Sequence, residues 1–152
     1  MKLESLVFEN NSSIPAKYTC DGENINPPLK FSEVPESTAS LVLIMDDPDV
    51  PKSVKPDGIW DHWLIWDMPP ETSEIREGEA PMGTLGKNTG GSFGYQGPCP
   101  PDREHRYFFK LYALDKKLGL PRETTTKKDL EAAMGGHILA ETQLMGRYDR
   151  AR

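Results

Sequence analysis

A mainly β domain carrying one clear helix is what this sequence predicts, on three observations. Its apolar residues fall in short runs. Some are unbroken, as in Leu41-Val42-Leu43-Ile44-Met45, and some alternate with period 2, as in residues 60–67 and 105–114. The 152 residues include 14 prolines and 13 glycines, too many turn formers for a helical bundle. Only residues 126–134 combine a capping residue, an apolar stripe at helical spacing and a glycine stop. At this length the chain reads as one domain, residues 1–152, able to bury roughly two thirds of its unfolded surface.

A first strand is expected over residues 3–8, ending in Asn10-Asn11-Ser12-Ser13. Residues 15–28 are polar and irregular, with a turn at Asp21-Gly22 and an extended path forced at Pro27-Pro28. A short strand is expected over 29–34. Residues 41–66 are the centre of the chain. Their first strand suits burial on both faces and runs straight into Asp46-Asp47-Pro48-Asp49-Val50-Pro51. The second holds all three tryptophans. Period 2 places Trp60, His62, Leu64 and Trp66 on one face and Asp61, Trp63, Ile65 and Asp67 on the other. Pro69-Pro70 ends it. Residues 71–101 are irregular, with six glycines from Gly83 to Gly97 and then Pro98-Cys99-Pro100-Pro101. A loop of this size inside a compact domain is usually functional. A third clear strand spans 105–114, with His105, Tyr107, Phe109 and Leu111 on one face. Thr126 caps the helix with Asp129 at the third position and Gly135-Gly136 stop it; residues 138–148 either extend the helix or return as a strand, and the glycine pair with Gly146-Arg147-Tyr148 favours the strand.

A net charge of −6 without any cluster of Lys and Arg argues against nucleic acid as a partner, because neutralising phosphates needs a basic face. There is no run of about 18 apolar residues for a membrane span and no apolar signal core after Met1. A cytoplasmic protein without integral membrane association is therefore expected. In a reducing cytosol, Cys20 and Cys99 are expected as free thiols rather than a bridge, and two such distant cysteines make no zinc site.

Gly90-Gly91-Ser92-Phe93-Gly94 fits the pattern of a hydrolase nucleophile elbow. That chemistry needs the serine on a turn between a buried strand and a helix, and neither flanks it. Gly86-Lys87 lacks the following Ser or Thr of a phosphate loop. His62, His105, Asp47 and Asp49 are the residue types of a two-histidine, one-carboxylate metal site, without the close spacing that marks one. No metal or cofactor is expected. Taken alone, each histidine reads as a half-buried strand residue with its hydrogen bonds satisfied. Three features favour a pocket: His62 and His105 stand at or near strand starts, Asp47 ends a strand, and a Gly/Pro-rich loop precedes His105. Such a loop brings backbone N–H groups close to a ligand. His137 is expected to serve the helix C-terminus.

These residues carry a resemblance. The pieces are Asp21-Gly22-Glu23-Asn24-Ile25-Asn26-Pro27-Pro28-Leu29, Asp47-Pro48-Asp49-Val50-Pro51 and Trp60-Asp61-His62-Trp63-Leu64, then residues 97–101, 105–109 and the tail over 136–148. Together, over nearly the whole chain, they resemble the phosphatidylethanolamine-binding protein family, which includes the Raf kinase inhibitor protein, and its bacterial and archaeal branch in particular. The resemblance implies an antiparallel β-sandwich of a large and a small sheet with one or two short helices. It also implies a small anion-binding pocket lined by Asp47, His62, His105 and Tyr107, with Pro48, Pro51, Trp60, Gly97, Pro98 and the rest of loop 97–101 as its wall. It further implies binding of phosphate, phosphorylated head groups or carboxylates without a metal, a regulatory or kinase-inhibitor-like role, and a homodimer. With Arg152 as the last residue, the C-terminal helix that stands beside the pocket in animal members is not expected here.

The expected function is small-anion binding, with any protein partner unknown. His62 and His105 donate hydrogen bonds, Tyr107 adds its hydroxyl, loop amides complete the cradle, and Asp47 orients a histidine. The alternative is a metal-independent hydrolase with His62 as base and Asp47 as its orienter, for which only Ser92 and Cys99 are available as nucleophiles. With Asp47 beside His62, the imidazolium is favoured, and phosphate binding should weaken about tenfold between about pH 6 and pH 8. The aromatics around residues 60–66 are expected to leave an apolar patch that a two-fold pair covers.

Overall fold

The computed structural model describes residues 1–151 as two packed sheets and one helix. The strands are β1 (Lys2–Glu4), β2 (Ser12–Ser13), β3 (Leu29–Ser32), β4 (Ser40–Asp47), β5 (Trp60–Met68), β6 (Glu74–Ile75), β7 (Thr84–Leu85), β8 (His105–Leu114) and β9 (Ile138–Tyr148). The helix α1 (Lys127–Met134) precedes β9. The small sheet is ordered β1-β3-β6 and the large one β2-β9-β8-β4-β5-β7. Pairing is antiparallel throughout except for β2 with β9, a short parallel addition at the edge of the large sheet.

β4 lies inside the large sheet because its composition requires cover on both faces. Leu41, Leu43 and Met45 point into the sandwich core with Leu3, Phe31, Trp63 and Phe109. Val42 and Ile44 pack on the opposite face with Leu64, Trp66, Leu130 and Met134, beneath α1. The small sheet and the helix are the two covers. The helix begins as expected: Thr126 accepts from the Asp129 amide while the Asp129 carboxylate accepts from the Thr126 amide.

Period 2 holds along β4 and β8 but breaks in β5. Met45 pairs with Trp63 and Asp46 with Asp61, so His62 is an extra residue at that step. This bulge turns His62 to the sandwich side of the sheet, where its ring meets Tyr107 edge-on at 5.2 Å between centroids. It does not share a face with Leu64 and Trp66 as alternation predicts. A second break lies where Leu41 pairs with Met68 and Leu43 with Ile65, and there Asp67 adopts φ 55°.

Other expectations need correcting. β1 stops at Glu4; Leu6 is exposed and the chain re-enters the core at Phe8. Residues 71–101 contain the two short strands β6 and β7. The His137 side chain pairs with a carboxylate, Nδ1 lying 2.9 Å from Asp115 Oδ1, while its backbone amide donates to the Met134 carbonyl at the helix end. Trp63 and Trp66 are fully buried, so the tryptophans form no surface patch. Cys20 and Cys99 form a disulfide, with Cα atoms 5.5 Å apart. The fold brings the two loops within bridging distance, which separation along the chain does not reveal.

Candidate functional site

The inward-facing ends of β4, β5 and β8 open on a cavity of about 200 Å³ at one end of the sandwich. Asp47 ends β4, His62 comes from the bulge in β5, and His105 and Tyr107 open β8. Trp60 and Gly97 line the same cavity with them. Pro48, Pro51 and Pro98 are not among its lining residues. Pro48 stands on the other face of the sheet with Asp46, Phe108 and Lys110. The Pro51 carbonyl accepts from Val54 and Lys55 in the turn that delivers Val54 to the cavity, and the Pro98 carbonyl accepts from the Cys20 amide. Sequence reasoning missed Val50, Val54 and Gln96 in the wall.

The three carboxylates around Pro48 have three different fates: strand alternation parts Asp46 from Asp47, and Asp49 lies beyond the end of β4. Asp46 points outward to Lys110 Nζ at 3.1 Å and Lys127 Nζ at 3.2 Å. Asp49 is gripped by Arg106, whose side chain and backbone amide all donate at 2.9 Å and hold the carboxyl below the usual carboxylate range. Asp47 points inward. Its Oδ1 accepts from the Asp49 amide at 2.8 Å, and burial pushes its pKa up against the opposing pull of His105.

His62 does not meet Asp47. Its Nδ1 lies 2.6 Å from the Gln96 carbonyl oxygen, which only accepts, so Nδ1 carries the proton. Burial pushes its pKa down to about 4, outweighing the Gln96 carbonyl. His62 is therefore neutral at pH 7 and its Nε2 is a hydrogen-bond acceptor. This overturns the expected Asp47–His62 pair, together with the imidazolium donor and the pH dependence built on it.

Asp47 instead holds His105, with Nδ1 to Oδ2 at 2.7 Å. The other ring nitrogen, Nε2, lies 2.6 Å from Asp102 Oδ1. Two such bonds place two protons among the three groups, leaving a net charge of −1 on the triad. The bond from His105 holds Asp102 below its ordinary value. The signal in the sequence was a carboxylate three residues before the histidine.

Tyr107 is fully buried, and its hydroxyl has no hydrogen-bond partner among the described residues. Burial, and then the Asp47 charge, push its pKa upward, so the phenol keeps its proton and remains a donor.

The loop after β7 is bound inward. The Gln96 amide donates to the His62 carbonyl and its side-chain Oε1 accepts from Trp60 Nε1 at 2.8 Å. The Gly97 amide donates to Asn24 Oδ1 at 2.9 Å. A Cβ on Gly97 would stand 2.3 Å from that oxygen and 2.4 Å from the Tyr18 carbonyl, so only glycine fits. The amides of Gln96 and Gly97 are thus already committed, and Pro98, Pro100 and Pro101 have none. The expected cradle of loop amides is largely spent on the protein itself. Two parts of the hydrolase alternative are placed otherwise: Asp47 orients His105 rather than His62, and Cys99 is disulfide-bonded.

The sequence pattern of the phosphatidylethanolamine-binding protein family matches residues 4–149. A UPF0098 protein of Chlamydia trachomatis is 49% identical over 150 residues, 99% of each chain. Another, from the archaeon Methanothermobacter thermautotrophicus, is 46% identical over 156 residues, again 99% of each. A crystal structure of a Chlamydia trachomatis homologue of phosphatidylethanolamine-binding protein superposes with a TM-score of 0.95 at 48% identity, covering 98% of this chain and 97% of that one. Escherichia coli YbcL shares the fold at 24% identity and a TM-score of 0.88, covering 99% and 98%. With its two-sheet sandwich and the cavity at its end, the chain belongs to the phosphatidylethanolamine-binding protein family.

Proposed function

We propose that the protein binds a small phosphorylated ligand by its phosphoryl group, taken in the monoprotonated form. The Tyr107 hydroxyl carries this reading: a buried donor without a partner costs about 1–3 kcal/mol, which a ligand oxygen in the cavity offsets. Neutral His62 offers an acceptor at Nε2, and His105 Nε2 stands at a position that already holds a carboxylate oxygen. Two donors and one acceptor match two P–O oxygens and one P–OH. A bare dianion would set an oxygen lone pair against the His62 lone pair. Among the described residues no Lys or Arg lines the cavity, so on this reading the phosphoryl group is held by directed hydrogen bonds from the groups named. Val50, Val54, Trp60 and Pro100 provide an apolar wall for the organic part of the ligand.

Calorimetric titration of a phosphate monoester, methyl phosphate, at about pH 8, where it carries no P–OH of its own, in buffers of different ionisation enthalpy, tests the reading. The expected result is binding with uptake of about one proton, because a phosphate group loses its second proton near pH 6–7. Binding would then weaken above neutral pH through the ligand's own titration, not through a histidine. No heat and no chemical-shift change at His62 or Tyr107 with tens of millimolar methyl phosphate would overturn it.

A homodimer and a kinase-inhibitor-like or other regulatory role rest on the family resemblance. The adjacent exposed pair Ile138 and Leu139, at the start of β9, is the apolar surface that favours self-association. Sedimentation at tens of micromolar that gave only a monomer would refute the dimer. No helix among the described residues is long and apolar enough to cross a membrane.

A further inference from the structure

His105 is wholly buried and has two donor positions. Nδ1 is committed to Asp47, itself buried, which leaves Nε2 as the single place on this ring for a ligand oxyanion. Asp102 occupies it from a loop, with a side chain 40% exposed. We propose that Asp102 is a tethered competitor: its carboxylate holds the His105 position that the ligand's phosphoryl oxygen takes, so binding exchanges one anion for another. This rests on the phosphoryl-binding reading above.

The surroundings suit an exchange made by one side chain. Just before Asp102, the chain is anchored by the disulfide at Cys99; just after, it is anchored by β8, where His105 pairs with Tyr148 of β9 and the Arg106 amide donates to Asp49 at 2.9 Å. The backbone on either side is thus held while Asp102 rotates. Arg103, exposed beside it with Nε 3.7 Å from Asp102 Oδ2, stays within reach of the displaced carboxylate in water. Asp47, at the opposite nitrogen, keeps His105 oriented throughout. A group tethered this close acts at a millimolar or higher effective concentration, so ligands pay to displace it and the apparent affinity falls by the fraction of unoccupied His105. The alternative is that Asp102 positions His105 productively, in which case removing it weakens binding.

The experiment is phosphate titration of the full chain, followed by His62 and Tyr107 chemical shifts, in wild type, Asp102→Ala and Asp102→Asn, with Glu104→Gln as a loop control. Each is run at low salt and at about 0.5 M sodium chloride, where the field of an exposed charge is screened within a few ångströms. The expected result is a threefold or greater gain in affinity for Asp102→Ala, kept at high salt, a smaller gain for Asp102→Asn, and none for Glu104→Gln. Binding seen only in the Asp102 variants supports the same conclusion. If wild type binds and Asp102→Ala gains less than threefold, loses affinity, or gains only at low salt, the competitor is overturned and the phosphoryl site stands. If no variant responds to tens of millimolar phosphate, the site itself is refuted and the competitor with it.

Discussion

Acidification should cost this protein stability through His62. In the unfolded chain the imidazole takes up its proton near pH 6.5; in the fold, burial holds its pKa down to about 4. Between those values the unfolded chain binds more protons at this site than the folded one. The contribution is therefore fully present above pH 6.5 and is lost as the pH falls towards 4. Integrating over that window gives a loss of about 2–3 kcal/mol between about pH 7 and pH 4.5, the main cause being removal of the charged ring from water. Asp47, whose pKa burial raises, acts in the opposite sense above its ordinary value, so wild type must be compared with a variant that keeps it. His62→Gln retains a donor for the Gln96 carbonyl and every other titration. Urea unfolding at both pH values should show wild type losing about 2–3 kcal/mol relative to His62→Gln. A His62 titration near 6.5 or higher by NMR, with parallel stability curves for the two proteins, would refute the reasoning.

The Cys20–Cys99 bridge closes a 79-residue separation, and replacing both cysteines by serine should lower the unfolding free energy by about 2–5 kcal/mol. Equal denaturation midpoints with and without reductant would show that the bridge does not form in solution. Leu130, fully buried beneath β4 and β5, should cost about 2–5 kcal/mol as Leu130→Ala. A loss below about 1 kcal/mol would mean that α1 is not the cover of that face.

How much of this was legible in the sequence depends on what each feature rests on. β8 follows from alternation bounded by turn formers and β4 from an unbroken apolar run, because side-chain period and burial are local properties, whereas β9 is favoured over an extended helix only by its glycines. The gathering of Asp47, His105 and Tyr107 followed from the resemblance and from their places at strand ends. The bulge at His62 was not legible: an extra residue in one strand changes nothing in composition and shows only against its partner. The pairing choice went with it. Asp47 sits between β5 and β8, and the bulge gave His62 to the Gln96 carbonyl, leaving the carboxylate to His105. Gln96 and Asp102 were missed because they act from a loop whose path is set by long-range contacts, among them Gly97 with Asn24 and Cys99 with Cys20. The same long-range closure hid the disulfide.

The most direct test of the account is Tyr107→Phe, measured for both stability and phosphate affinity. Removing a hydroxyl that has no partner among the described residues should leave the unfolding free energy unchanged or raise it by about 1 kcal/mol. The same change should weaken phosphate binding by roughly tenfold, the loss of one hydrogen bond to a charged group. A variant that is destabilised yet binds phosphate as wild type does would place the hydroxyl in the scaffold and contradict the site.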